Sequence, residues 1–318
     1  MTELVVCSGK GGTGKTSIVA SLAALAHQPV LADCDVDAAN LHLVLAPTIA
    51  RTTPFVAGRR AVIRAEECTG CGLCAELCRF DAIERVADPV RGASCRINAV
   101  GCEGCGVCVH FCPAGAIDFP PARCGEWYLS ETRFGPLVHA NLDTGAENSG
   151  KLVTLVREQA RSTAAARGRD LILSDGPPGI GCPVTASLTG ADHTLLVTEP
   201  SQSGLHDLGR VLELVDHFGV PAQVCINKYD LSLPLSGAID AWCAGRGIPV
   251  VGHIPFEPLT SDAQMAGRSL VEYAPDCEAS VAIRGVWREI SRRLPGGRGD
   301  ADTRCARPIP LVARAPRP

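Results

Sequence analysis

The sequence carries no excess of positive charge: 30 Lys and Arg stand against 34 Asp and Glu, for a net charge of -4 and a pI near 6.1. Neutralising a phosphate backbone needs such an excess, so nucleic acid is not expected as a main partner, and no basic membrane patch is present. No apolar run reaches the 18 or more residues of a membrane-spanning helix. The stretch Met1 to Cys7 enters an apolar segment directly, without a charged n-region and cleavable h-region, so no secretory signal is expected and the cytoplasm is the expected location. Residues 295–318, rich in Pro, Arg and Gly, lack apolar periodicity and are expected to form a disordered tail.

What is abundant is cysteine, 17 residues in a chain of 318 that is otherwise ordinary, at 46% hydrophobic and 20% charged. Disulfide frameworks belong to small exported chains; here the cysteines cluster at metal-ligand spacing, which points to a reducing compartment.

Short apolar runs end in polar or turn residues at Glu3 to Cys7, Pro29 to Ala32, Leu171 to Leu173, Thr194 to Thr198, Ala222 to Ile226 and Pro249 to Ile254. Helical composition lies between or after them, at Lys15 to Ala26, Gly150 to Arg167, Ser203 to His217, Leu235 to Gly245 and Cys277 to Leu294. Strand and helix alternate, which predicts an α/β fold with a doubly wound, mostly parallel sheet. The cysteine- and glycine-rich stretch near Val62 to Phe119 breaks the alternation and reads as an insert. The expected organisation is a first part of the main domain at 1–60, a small inserted α+β domain at 61–122 and a second part at 123–294. Glu126 to His139, with Gly135-Pro136 near its middle, is expected to return to the main domain as a hairpin.

Gly9-Lys10-Gly11-Gly12-Thr13-Gly14-Lys15-Thr16, followed by Ser17, satisfies the P-loop pattern between a strand and a helix. Its glycines let backbone N–H groups approach phosphate oxygens, Lys15 supplies a cation and Thr16 a hydroxyl for Mg²⁺. Lys10, a second lysine early in the loop, resembles the deviant Walker A of the MinD/ParA, nitrogenase iron protein and Mrp-type ATPases. That resemblance implies an ATP-dependent homodimer in which Lys10 reaches the partner's nucleotide. It also makes Asp33-Cys34-Asp35 look like the first switch, with Asp35 orienting the attacking water, and Ser174 to Gly179 like Walker B and the second switch, with Asp175 beside Mg²⁺. Asp37 reads as a solvated aspartate or helix cap. Asn227, within Ile226-Asn227-Lys228-Tyr229-Asp230, resembles a base-contacting residue; the class of Lys10 favours adenine although Asn-Lys-x-Asp also occurs in guanine readers.

Cys68-x2-Cys71-x2-Cys74-x3-Cys78 and Cys102-x2-Cys105-x2-Cys108-x3-Cys112-Pro113 repeat the run of bacterial ferredoxins. In two-cluster ferredoxins the fourth cysteine of each run serves the other cluster. By that rule one 4Fe–4S cluster takes Cys68, Cys71, Cys74 and Cys112, and the other Cys102, Cys105, Cys108 and Cys78. Structural zinc is the rival reading and fits two identical 2-2-3 spacings poorly. Cys78 departs from the pattern in being followed by Arg79 rather than Pro. Cys95 is expected to be a bystander, Cys124 a surface thiol, Cys182 a packing residue, and Cys7, Cys34 and Cys225 small buried hydrophobes.

The whole resembles a MinD-superfamily ATPase with an inserted ferredoxin module. The resemblance implies a Mg-ATP-hydrolysing dimer that couples nucleotide state to electron transfer through two 4Fe–4S clusters toward an unknown redox partner. The alternative is an ATP-dependent carrier that delivers clusters to an apo-protein; Cys277 and Cys305 stand alone, without the C-x-x-C of Mrp-type relatives.

Overall fold

The structure, a computed structural model, describes residues 1–294; the tail expected at 295–318 lies outside the described residues. The chain opens with β1 (Thr2–Ser8), α1 (Lys15–Leu25), β2 (Val30–Asp33), α2 (Leu41–Leu45) and β3 (Thr48–Arg59). The insert follows as β4 (Val62–Ile63), α3 (Leu73–Leu77), β5 (Ile83–Asp88), β6 (Gly92–Ile97), α4 (Val107–His110) and β7 (Ile117–Asp118). The chain returns through β8 (Pro121–Glu131) and β9 (Pro136–Leu142) to α5 (Ser149–Arg167), β10 (Leu171–Pro178), α6 (Cys182–Leu188) and β11 (His193–Thr198). Then come α7 (Gln202–His217), β12 (Ala222–Asn227), α8 (Leu233–Ala244), β13 (Val250–Ile254), α9 (Leu259–Met265), α10 (Leu270–Tyr273) and α11 (Glu278–Ser291).

One nine-stranded sheet, in the order β13-β12-β11-β1-β10-β2-β9-β8-β3, forms the body. From β13 to β9 every pairing is parallel. Strands buried on both faces read as continuous apolar runs, and β1 is buried at all seven positions. Side chains of α1, α2, α10 and α11 cover one face; α5, and beyond it α6, α7 and α8, cover the other. Glu3 is buried inside this body and accepts from Arg157 at 2.8 and 2.9 Å, with Arg161 and Ser174 completing its shell. These bonds hold the carboxyl below its usual range although burial alone would raise it.

The hairpin expected at Glu126 to His139 is part of the longer antiparallel pair β8–β9. β3 was not expected: it is an edge strand, mostly exposed, with the unpatterned sequence TIARTTPFVAGR. It pairs antiparallel with β8 from Thr48↔Glu131 to Arg59↔Pro121, and β4 and β7 pair directly beyond. The insert therefore stands on a two-stranded stalk that is itself the margin of the main sheet. Its own core contains six buried residues, three of them cysteines (Cys74, Cys95 and Cys108).

Candidate functional site

Two sites are built at the chain's chemically dense segments. The first lies at the carboxyl ends of the parallel strands, where open α/β sheets collect ligands. β1 delivers the P-loop, β2 ends at Asp33, β10 carries Asp175, β11 is followed by Glu199 and β12 ends at Asn227. Gly14 adopts φ +87°, and a Cβ there would lie 2.3 Å from Asn227 Nδ2, so the turn requires glycine. Asn227 donates through Nδ2 to the Thr13 carbonyl at 2.7 Å and braces the loop. Lys228 donates to the Gly12 carbonyl at 2.9 Å, and Gln264 Nε2 donates to Ser17 Oγ at 2.6 Å. Asp230 accepts from the Phe256 N–H at 2.7 Å, so its carboxylate serves the fold between β12 and β13.

Lys15 is 6% exposed and forms an ion pair with Asp175 Oδ1. Burial would lower the lysine's pKa, but Asp175, Asp33 and Asp35 outweigh it and hold it raised. Asp33 is fully buried, accepts from the N–H groups of Leu41 at 3.1 Å and Asp35 at 3.2 Å, and is pushed up to about 8 by burial and by Asp175. Asp35, half-buried, is pushed up to about 6 by burial, with Lys15 opposing and Asp175 and Asp37 adding to the rise. Three carboxyl groups thus crowd one ammonium, and their raised values reflect that crowding, which a divalent cation would relieve by favouring the ionised forms. Asp175 Oδ2 and Thr13 Oγ1 are buried with no hydrogen-bond partner. An orphaned buried polar group costs about 1–3 kcal/mol, so both atoms fit a site that takes up a Mg²⁺-nucleotide. Asp37 is exposed.

Lys10 points away from this centre. Its Nζ pairs with Glu199 Oε1 at 2.6 Å and donates to Ser203 Oγ at 3.0 Å and Ser201 Oγ at 3.1 Å. Burial would raise the Glu199 carboxyl, but bonds from Lys10 and Lys228 hold it low. Glu199 stands in no recognisable motif, its one sequence signal being a carboxylate at the end of an apolar strand; Asp33 opens the Asp33-Cys34-Asp35 segment, in which only Asp35 was expected to act.

The second site lies in the insert. Cys68, Cys71, Cys74 and Cys112 line one cavity, together with Cys95. Cys78, Cys102, Cys105 and Cys108 line the other. Each cavity thus gathers three cysteines of one run and the last of the other. Gly72 (φ +85°) and Gly106 (φ +76°) begin α3 and α4, each of which buries one cysteine, Cys74 or Cys108. Among the described residues no three His, Cys, Asp or Glu side chains converge as ligands of a single ion.

Two cysteines, Cys124 and Cys182, differ from expectation, and Cys95, expected as a bystander, stands closer to the first run than the sequence showed. Cys95 is 5% exposed and belongs to the first cavity's wall, because the β5–β6 hairpin folds onto the first run. Cys124 is buried, its thiol donating to the Ala57 carbonyl at 3.0 Å across the stalk. Cys182 is exposed at the start of α6 rather than packed. Cys7, Cys34 and Cys225 are fully buried in the strand layer.

A P-loop between β1 and α1, facing carboxylates on two neighbouring strands, defines a nucleotide-binding α/β protein. The chain belongs to the CobQ/CobB/MinD/ParA nucleotide binding domain family, which it matches over residues 4–271. It is 35% identical over 231 residues to an uncharacterized protein of Methanocaldococcus jannaschii, covering 71% of this chain and 78% of that one. It is 30% identical over 134 residues to the cytosolic Fe–S cluster assembly factor NBP35 of Eremothecium gossypii, covering 37% of this chain and 40% of the other. The cell division ATPase MinD of Pyrococcus furiosus shares the fold at TM-score 0.55 and 20% identity, with 92% and 98% of the two chains covered. The Pyrococcus horikoshii MinD complexed with Mg-ADP does so at 0.56 and 19%, with 91% and 96% covered. Among the described residues no helix is long and apolar enough to cross a membrane.

Proposed function

We propose that this protein is an ATP-dependent homodimer that couples nucleotide state to electron transfer through two 4Fe–4S clusters held by the insert. The observation that carries the reading is the sorting of eight cysteines into two cavities, within a segment flanked in sequence by Asp35 and Asp175. Bound clusters would supply one-electron storage, and the residues to hold them are Cys68, Cys71, Cys74 and Cys112 in one cavity and Cys102, Cys105, Cys108 and Cys78 in the other.

The donor set fits that chemistry. Structural zinc is bound by four thiolates at most, and two runs with identical 2-2-3 spacing whose last cysteines line each other's cavity match the two-cluster ferredoxin pattern instead. Half of the insert's buried core is thiol, and so small a core needs a staple to hold its layer. In the nucleotide site Lys15 and the loop N–H groups receive phosphate, Thr16 and Asp175 hold Mg²⁺, and Asp35 orients water for attack on the γ-phosphate. Lys10, exposed enough to leave Glu199, reaches the partner's nucleotide. Two contacts join the insert to the main domain: Gly104 of the second cysteine run abuts the backbone of Arg59 at the end of β3, and Val100 meets Gly145 in the loop before α5.

The test is anaerobic purification with iron and sulfide counts, ATPase rate and solution mass with and without ATP, then electron delivery from reduced protein to an acceptor. Two clusters, an ATP-dependent rise in mass and ATP-dependent delivery are expected; delivery that ignores ATP would sink the coupling. Similarity to NBP35 favours a second reading, a carrier that donates clusters to apo-proteins. Incubation with an apo-acceptor separates them: an acceptor that fills while this protein empties is a carrier's result.

A further inference from the structure

Helix α2 is held at both ends by side chains that belong to different parts of the molecule. It is five residues long, too short to be stable alone, so its position is set by what it touches. At its amino end the Leu41 N–H donates to Asp33 Oδ2 at 3.1 Å, inside the nucleotide site. At its carboxyl end the Leu45 and Val44 carbonyls accept from Arg133 at 2.7 and 3.3 Å.

Arg133 lies in the turn between β8 and β9. Its guanidinium also donates to both oxygens of Glu272 at 2.7 and 2.8 Å, and its central carbon lies 4.7 Å from the Phe134 ring centroid. Glu272 in turn accepts from the Ser269 N–H at 2.9 Å and the Ser269 hydroxyl at 2.6 Å, closing the cap of α10. The turn is tight: Gly135 (φ +153°) passes so close to the Pro29 carbonyl that a Cβ would lie 2.2 Å from that oxygen. A planar fork of N–H donors can hold a carboxylate and two carbonyls at once, which a lysine ammonium does less well.

The other end of this hairpin is the insert. β8 runs from Pro121, directly after the insert, to Glu131, just before the turn, and its 11 residues at about 3.4 Å each span about 37 Å. It is braced by β3 on one side and β9 on the other. The stack of His42 on His139 and of His139 on Tyr128 is a second link, from α2 through β9 to β8. A change in the charge or position of Asp33 on uptake of Mg²⁺-nucleotide acts on the first residue of α2, and the last residue of α2 is bonded to the hairpin. Energetic coupling travels through such chains of hydrogen bonds and packed elements.

We propose that Arg133 is a positioning residue that carries nucleotide state from the Asp33–Asp35 segment, through α2, into β8 and the insert. The inference rests on the reading that the nucleotide site and the insert are coupled, and it supplies the route.

The experiment is amide hydrogen exchange on the anaerobically reconstituted full chain, with iron and sulfide counted, compared with and without Mg-ATP. In wild type, Mg-ATP is expected to change exchange in α1, in residues 41–46, at the turn 131–136 and over 61–120. Arg133→Ala should bind ATP with wild-type affinity by calorimetry and keep the change in α1, while the changes at 131–136 and 61–120 are lost. Arg133→Lys, which keeps the charge without the fork, should lose most of the same response, and it decides the matter if the alanine variant does not fold. Arg167→Ala removes an ion pair to Glu131 at the same end of β8 and should leave the whole response in place. An insert that still responds fully to Mg-ATP in a folded Arg133 variant overturns the proposal and leaves the coupling standing. Unfolding or loss of ATP affinity in both Arg133 variants, or loss of the response in Arg167→Ala, overturns it in favour of a general structural role. A wild-type insert that ignores Mg-ATP overturns the coupling itself, and the route with it.

Discussion

Lys10 and Lys15 sit five residues apart in one loop and meet opposite surroundings. Lys15 is buried against Asp175 with Asp33 close by, so its removal leaves buried carboxylates without compensation, a loss of about 3–5 kcal/mol. Lys15→Ala is expected to lose measurable ATP binding by calorimetry and to melt at a lower temperature. Lys10 is held outside the phosphate cradle, at the amino end of α7, where the helix dipole disfavours a cation and Glu199 offsets it. Lys10→Ala should keep ATP affinity, remain monomeric by light scattering with ATP present, and hydrolyse about 10²-fold more slowly or worse. An ATP-dependent rise in mass that survives the substitution would sink the role across the dimer. Asp35→Asn should likewise keep ATP affinity while turnover falls by roughly 10²–10⁴ in a steady-state assay, the range for losing a positioned proton acceptor. The spacing of the glycines places Lys15 between β1 and α1, whereas the roles expected of Lys10, Asp35 and Asp175 came from the resemblance to deviant Walker A ATPases, and the structure shows only where those side chains stand. Glu199 was not legible in the sequence, because its two lysine partners come from the P-loop and from the residue that follows β12.

Among elements, the pair β8–β9 does more than close the sheet. His139 on β9 stacks on Tyr128 of β8 at 4.9 Å between ring centroids and on His42 of α2 at 5.7 Å, linking the stalk to the helix that follows Asp35. Ser130 Oγ bonds His139 Nε2 at 2.9 Å. Burial, with His42 beside it, pushes His139 down to about 4. The unfolded value is about 6.5, so the unfolded chain takes up the proton first. The neutral ring's contribution is complete above pH 6.5 and is lost as pH falls toward 4, by about 2–3 kcal/mol at pH 4.5. Urea unfolding of wild type and His139→Gln at pH 7.5 and 4.5 checks this: the variant should lose less stability on acidification by that amount. Equal losses would show that the ring is not held neutral. The parallel strands and long helices were legible from apolar runs and alternation, since burial on both faces leaves that mark. β3 was not, because an edge strand with exposed Arg and Thr and a central Pro54 carries no period; its partner β8 alone makes it a strand.

Across the whole molecule, the stalk joins the sheet to a layer whose two lobes exchange cysteines, and that exchange has a measurable consequence. Cys78 follows α3 in the first run yet faces the second cavity, while Cys112 follows α4 in the second run yet faces the first. If each cysteine served its own run, Cys78→Ser would disturb the same centre as Cys68→Ser. With crossed ligation, Cys78→Ser and Cys102→Ser should affect one signal, and Cys112→Ser and Cys68→Ser the other, in the spectra of reduced reconstituted protein. With clusters bound in that crossed arrangement, the two α-helical turns would be pinned to each other through both centres. Removal of iron by a chelator should therefore loosen the whole insert as one unit, raising amide hydrogen exchange over 61–120 while β1 and β10 stay protected. Exchange that rises in one lobe alone would show that the lobes are independent.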